Sequence, residues 1–250
     1  MNDLRNKEEK LVESLKKPSE NHSDIISKMI DDTIGSKNKV YLMTDWHLWI
    51  RKEKGSSECH ERKDFKRIIE NIKKIQQDDL LIYMGDLVDG EFTDKEKLKN
   101  VILPMNFKKI LVLGNNDLFS PSFYLKSCGF DYVVRSFVWK DIIFSHMPMK
   151  DHGQKMNICG HLHGYTSLWV PYENHVEVGW CGGRIAPVEL MKVITTQPKY
   201  AKHVKECPEH FNEGYVGVNT SSDDSDMSFF LNKVKSHWEY VYTDPYHDDE

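Results

Sequence analysis

From residue 39 onward, short apolar runs alternate with stretches of helical periodicity. Val40 to Met43, Leu80 to Met84 and Ile110 to Leu113 are continuous apolar runs. Such runs suit central strands buried on both faces. Between them, Phe65, Ile68, Ile69, Ile72 and Ile75 recur at helical spacing within Arg62 to Gln76. Lys95 to Leu103 reads as a second helix, stopped near Pro104. Strand, helix, strand, helix, strand predicts an α/β domain. Beyond it, Tyr132 to Arg135, Phe137 to Trp139 and Ile142 to Ser145 read as a β-meander that turns at Lys140-Asp141. Met156 to Cys159 and His175 to Val178 add two more strands, and Pro187 to Ile194 a closing helix.

The two ends differ from this core. Residues 1–37 are rich in lysine and glutamate. Ser23 and Asp24 read as an N-cap ahead of an apolar stripe, Ile25, Ile26, Met29 and Ile30, with Gly35 as the stop. This predicts a helical N-terminal extension docked on the main domain, residues 38–196. Residues 197–250 carry the acidic stretch Ser221 to Asp226 and end in Asp248, Asp249 and Glu250. They read as an acidic, partly flexible C-terminal extension, with one docked helix around Phe229 to Trp238. Both extensions are surfaces that a protein partner could use.

Composition narrows the partners. The chain has 250 residues and a formal net charge of -5, with 39% hydrophobic and 29% charged residues. Without a basic excess, nonspecific attraction to nucleic acid or to anionic lipid is not expected. No apolar run approaches the ~20 residues of a membrane span, and Met1 to Lys10 lacks an apolar leader. The five cysteines are odd in number and form no C-x-x-C pair. They read as reduced thiols, and the chain as cytoplasmic.

The chemistry lies where the apolar runs end. The first three are followed by Asp45 and His47, by Asp86 and by Asn115. The run Ile142 to Ser145 leads to His146, and Met156 to Cys159 leads to His161 and His163. Ligands of α/β sheets gather at the carboxyl ends of strands. Five strand ends therefore deliver seven donors to one edge. Any of these residues alone is ordinary. His161-Leu162-His163 is stronger, because alternate residues of a strand project to one face. Mixed carboxylate, amide and imidazole donors suit manganese, taken first, or iron, zinc or nickel, over an all-oxygen calcium cage.

The order Asp45-x-His47, Gly85-Asp86-x-x-Asp89, Gly114-Asn115-x-Asp117, His146 and Gly160-His161-x-His163 resembles the calcineurin-like metallophosphoesterase superfamily. The match spans about residues 39 to 190. The resemblance implies a four-layer α-β-β-α sandwich with two mixed β-sheets and a dinuclear centre at the strand ends. It implies that Asp45, His47, Asp86 and His163 hold one metal, and that Asp86, Asn115, His146 and His161 hold the other. The implied reaction is hydrolysis of a phosphomono- or phosphodiester by a metal-bridging hydroxide, as two-metal sites permit. A nucleotide or a nucleic-acid end fits as substrate. Asp89 and Asp117 are candidates to orient the imidazoles. The alternative is a non-catalytic scaffold or interaction module on the same fold.

One position departs from the family pattern. Where its third block commonly carries a histidine that protonates the leaving oxygen, this chain has Asn116. A neutral amide is no general acid, a role worth typically about 10²–10⁴-fold. The expected bias is toward substrates with good leaving groups, or a proton from elsewhere, with His60, His152 and His175 as loose candidates that otherwise read as surface histidines. Asn116, Arg62 and Arg184 are candidate substrate contacts. Trp46 reads as core, and Trp49 as core or, less expectedly, as a pocket wall.

Overall fold

A computed structural model describes residues 20–51, 59–88, 94–149, 155–163 and 174–196. The acidic stretch, the helix expected around Phe229 to Trp238, Asp89 and His152 lie outside the described residues, as does the side chain of His60.

Three parallel strands form the centre: β1 (Val40–Met43), β4 (Leu80–Tyr83) and β5 (Lys108–Val112). The hairpin of β2 (Trp49–Arg51) and β3 (Cys59–Glu61) lies between β1 and β4 in sequence. The side chains of the central strands divide by parity. Met43, Leu81, Tyr83 and Leu111 pack under Ile68 and Ile72 of α2 (Phe65–Ile72), Leu98 and Ile102 of α3 (Lys95–Ile102) and Tyr124 of α4 (Pro121–Lys126). Val40, Leu42, Leu80, Ile82, Ile110 and Val112 face the other way. Two buried faces per strand explain the continuous apolar runs. The helix starts are capped by sequence: Asp94 accepts from the N–H groups of Glu96 and Lys97, and Ser120 from Phe123, ahead of Pro121.

The expected meander does not form. Its first strand, β6 (Tyr132–Val134), pairs parallel with β5 and completes the first sheet, in the order β11-β1-β4-β5-β6, where β11 is Val188–Glu189. The other two, β7 (Ser136–Trp139) and β8 (Ile142–Ser145), form a hairpin in a second sheet. That sheet continues through β9 (Met156–Cys159) and β10 (His175–Glu177). The chain crosses between sheets at Arg135, where the side-chain parity gives no warning. β11 is antiparallel in the first sheet and β7 in the second, so both sheets are mixed. Phe137, Phe144, Ile158 and Val176 meet the first sheet across the inter-sheet core.

The N-terminal stripe docks through Ile26, Ile30 and the partly buried Met29, while Ile25 is exposed. Ile26 and Ile30 of α1 (Glu20–Gly35) are fully buried in the inter-sheet core, with Leu190 and Val193 of α5 (190–196). Ser23 is not the N-cap, since α1 begins at Glu20. Its hydroxyl accepts from Val138 N–H at 3.3 Å, and Ser27 donates to Val138 C=O at 3.0 Å. Two serines thus satisfy the open edge of β7, a strand edge that would otherwise offer itself to another chain. Two mixed sheets packed face to face, with α2, α3 and α4 against the first, make the predicted α/β sandwich.

In-register pairing sets the site. Met43 lies beside Tyr83 and Tyr83 beside Leu111, so the loops after β1, β4 and β5 leave one edge together. The loops after β8 and β9 meet them there, joined by Gly160 N–H to His146 C=O at 2.9 Å. A Cβ on Gly160 would collide with Thr44, so only glycine lets the two sheets close at this end.

Candidate metal centre

The site is built from strained backbone. Among the described residues, the non-glycine positions with positive φ are Lys37, Asp45, His47, Asp86, Lys140, His161 and His163. Five of these are predicted donors. Each such conformation costs of order 1–3 kcal/mol and persists only where surrounding bonds fix it. Here Asp117 Oδ2 accepts from the N–H groups of Asp86 and Gly114, both at 2.8 Å, and its Oδ1 from Leu87 at 2.9 Å. Asp45 N–H donates to Gly85 C=O and His47 N–H to Asp86 C=O. Tyr83, buried in the core, accepts from Trp46 N–H at 2.7 Å. Arg62 Nη1 donates to the carbonyls of Asp45 and Trp46, at 3.0 and 2.9 Å.

His161 and His163 do not alternate on a strand. β9 ends at Cys159, and both histidines lie in the following turn with φ of 69° and 55°. Left-handed backbone, not strand parity, turns them inward, and it sends them to different places. Asp45, His47, Asp86 and His163 bring one donor atom each within 4.8 Å of one another; Asp86, His146 and His161 form a second such group. Asn115 joins the second, its Oδ1 3.1 Å from His146 Nε2. Asp86 belongs to both.

The spacing suits cations. His47 Nε2 is 3.1 Å from His163 Nε2, and His146 Nε2 is 3.3 Å from both His161 Nδ1 and Asp86 Oδ2. His163 Nε2 is 3.5 Å from Asp45 Oδ1, and His47 Nε2 is 3.6 Å from Asp86 Oδ2. Donors held about 2.0–2.2 Å from one ion stand about 3–3.5 Å apart. The donor set and its spacing therefore fit a dinuclear divalent-metal site. The tautomers fit as well: His146 Nδ1 lies 2.7 Å from Met84 C=O and must donate to it, which frees Nε2 for the site.

Burial and mutual charge dominate the electrostatics. Burial alone would raise the Asp86 carboxyl, but His146, His47 and the Asn116 N–H hold it below the usual carboxylate range. Burial opposes charge on His146 too, yet Asp86 and Asp45 lift it to about 10. Burial, Arg184 and His47 push His163 down to about 3, so it is neutral and ready to donate a lone pair. Asp45 is raised by burial, against the attraction of His146. Burial and Asp86 push Asp117 up to about 7, against the N–H groups of Gly114 and Asp86.

The remaining predicted residues fall in several places. Asp117 touches backbone N–H groups and holds the Asp86 loop, where the sequence suggested that it orients an imidazole. Asn116 turns its amide onto Asp86. Arg184 is half-buried beside the site, with Nη1 3.2 Å from His163 C=O. Trp46 and Trp49 are both core residues, Trp49 against Phe65. His175 is fully buried, contrary to its reading as a surface histidine: it opens β10, paired in register with Asn157 of β9, and its Nε2 lies against Met149 C=O at 3.0 Å. Three supporting residues went unread. Thr44 donates to Asp45 Oδ2 at 2.8 Å; a hydroxyl beside a ligand carboxylate was the available signal. Tyr83 ends β4 as a polar atom in an apolar run. Glu177, fully buried near Asp45, carried no signal.

Comparison with known proteins agrees. The family described as calcineurin-like phosphoesterase matches residues 38–213. No curated protein matches. Among solved structures, the chain is similar to a protein of unknown function from Aquifex aeolicus at 20% identity, covering 63% of this chain and 98% of that one with a TM-score of 0.43. It is also similar to the Pseudomonas putida nuclease MPE at 21% identity, with 50% of this chain and 61% of that one covered and a TM-score of 0.38. The chain thus spans less than two thirds of that nuclease.

Proposed function

The chain belongs to the calcineurin-like phosphoesterase family, and from that premise we propose that Asp45, His47, Asp86 and His163 hold one cation and Asp86, Asn115, His146 and His161 the second. The protein is a metal-dependent phosphoesterase. The observation that carries the assignment is Asp86, whose carboxylate belongs to both donor groups. When bound, two divalent cations acidify a water for in-line attack and neutralise charge on the phosphoryl oxygens.

The chain's own residues do the rest. Asp117, Tyr83 and Arg62 fix the strained turns that aim the donors. The His146 proton, held by Asp86, must leave before its Nε2 can coordinate. Arg184 is the candidate contact for an incoming phosphate on the His163 side, a reading supported by its hydrogen bond to that residue's carbonyl. Arg62 spends its Nη1 on carbonyls, which favours a backbone clamp over a substrate contact. With a complete donor set, the scaffold alternative loses its premise.

Phosphomono- and phosphodiesters are the substrate class, a nucleotide or nucleic-acid end among them. Manganese is the preferred ion, with iron, zinc and nickel supported by the same donors. A cytoplasmic setting is supported by the free thiols of Cys128, Cys159 and Cys181. No helix among the described residues is long and apolar enough to cross a membrane. We read residues 38–196 as the catalytic domain between two extensions; the family match starts at 38 and runs past 196, to 213.

The test is release of nitrophenol from bis-nitrophenyl phosphate by the full chain with manganese. Metal-dependent turnover that vanishes in Asp86→Ala is expected. Turnover that survives that substitution, or none with any of the four metals, overturns the assignment.

A further inference from the structure

Asn116 stands where the family pattern places a proton donor, yet it faces the shared carboxylate. Its main-chain N–H donates to Asp86 Oδ1 at 2.9 Å, and its Nδ2 donates to Asp86 Oδ2, also at 2.9 Å. One residue thus grips both oxygens of one carboxylate.

Resting on the two-cation assignment above, we infer that Asn116 is a positioning residue that locks the plane of Asp86, so that this one carboxylate can serve both donor groups. His146 Nε2 at 3.3 Å and His47 Nε2 at 3.6 Å, one from each donor group, both stand near the Oδ2 that the Asn116 amide holds. The terminal torsion of an aspartate is soft. A carboxylate held at one oxygen would swing, favouring one group at the expense of the other. Two bonds from a single residue fix the plane. Gly114 closes the same carboxylate from another side, since a Cβ there would collide with Asp86 Oδ1. The amide at 116 therefore exchanges proton donation for a rigid shared ligand.

The experiment is manganese titration of the chelator-treated full chain by calorimetry, with metal content measured in parallel, for the wild type, Asn116→Ala and Asn116→Leu. Leucine has the branched shape of asparagine with neither donor nor charge, so a role in shape alone predicts rescue. The wild type is expected to take up two ions. Both variants are expected to bind them about 10–100-fold more weakly, the usual cost of losing a residue that orients a ligand, with the metal-free melting temperature little changed. At saturating manganese, KM for bis-nitrophenyl phosphate should hold while the manganese needed for half activity rises. Wild-type affinity and stoichiometry in either variant overturns the inference. A wild type that takes up no manganese overturns the two-cation assignment itself, and this inference with it. If Asn116→Ala fails to fold, the isosteric Asn116→Leu alone decides.

Discussion

His146 Nε2 lies 3.3 Å from Asp86 Oδ2 with both side chains buried, a close pair within the second donor group. The pair sets how the metal-free protein responds to pH. Asp86 titrates below its ordinary 3.8, so its contribution is present above that value and lost as pH falls further. His146 is raised from 6.5 to about 10, so its contribution is whole below 6.5 and lost as pH climbs toward 10. Asp117, raised to about 7, and Glu177, raised to about 8, lose stability in the same direction, so the chelator-treated protein should melt at a lower temperature at pH 9 than at pH 6.5 in a calorimetric pH series. Manganese uptake should release protons and tighten with pH across the same range. Calorimetry in two buffers of different ionisation enthalpy reads that release.

Glu177, which is not itself a candidate donor, supplies a second pH effect. Its Oε2 accepts from Trp180 N–H at 2.6 Å, while Oε1 is buried without a partner. Burial, then Asp45, raises it from 4.5 to about 8. A raised carboxyl favours the fold at low pH and loses that advantage as pH rises from 4.5 through 8. Glu177→Gln should leave the melting temperature nearly unchanged at pH 5 and raise it at pH 9. An equal shift at both would refute the assignment.

Gly114→Ala should cost about 1–3 kcal/mol, the usual range for overpacking. The added methyl meets the Asp86 carboxylate and backbone. Urea denaturation measures the cost. Manganese uptake should fall in parallel, because the carboxylate that must move is the shared one.

Helix α1 belongs to the stability of the core. Ile30 is fully buried between the sheets, and Ile30→Ala should cost about 2–5 kcal/mol. Deleting residues 1–37 should cost more and promote aggregation, since Ser23 and Ser27 also cover the edge of β7. Light scattering and thermal melts of the truncated chain report both.

Asn116→His would return an acid to the leaving-group side. At saturating manganese it should raise turnover of alkyl phosphoesters relative to nitrophenyl ones, whose leaving groups need no proton. Equal changes on both substrates would show that protonation does not limit the reaction.

Much of this was legible in the chain. The apolar runs Val40 to Met43, Leu80 to Met84 and Ile110 to Leu113 fixed three buried strands, because a strand covered on both faces has no polar parity to show. The polar residues that end those runs, Asp45, His47, Asp86 and Asn115, were the candidate donors of this sheet, since parallel strands in register must release their loops at one edge. The tertiary structure alone decided what depends on loop backbone and distant partners. It placed β6 and β7 in different sheets, turned His161 and His163 apart through left-handed φ, and buried Glu177 beneath the site. It also aimed the Asn116 amide at a carboxylate 30 residues away. Residue order sets which groups a strand end can present, but the sign of φ in a loop and the direction of an amide follow from contacts that form only when the two sheets close.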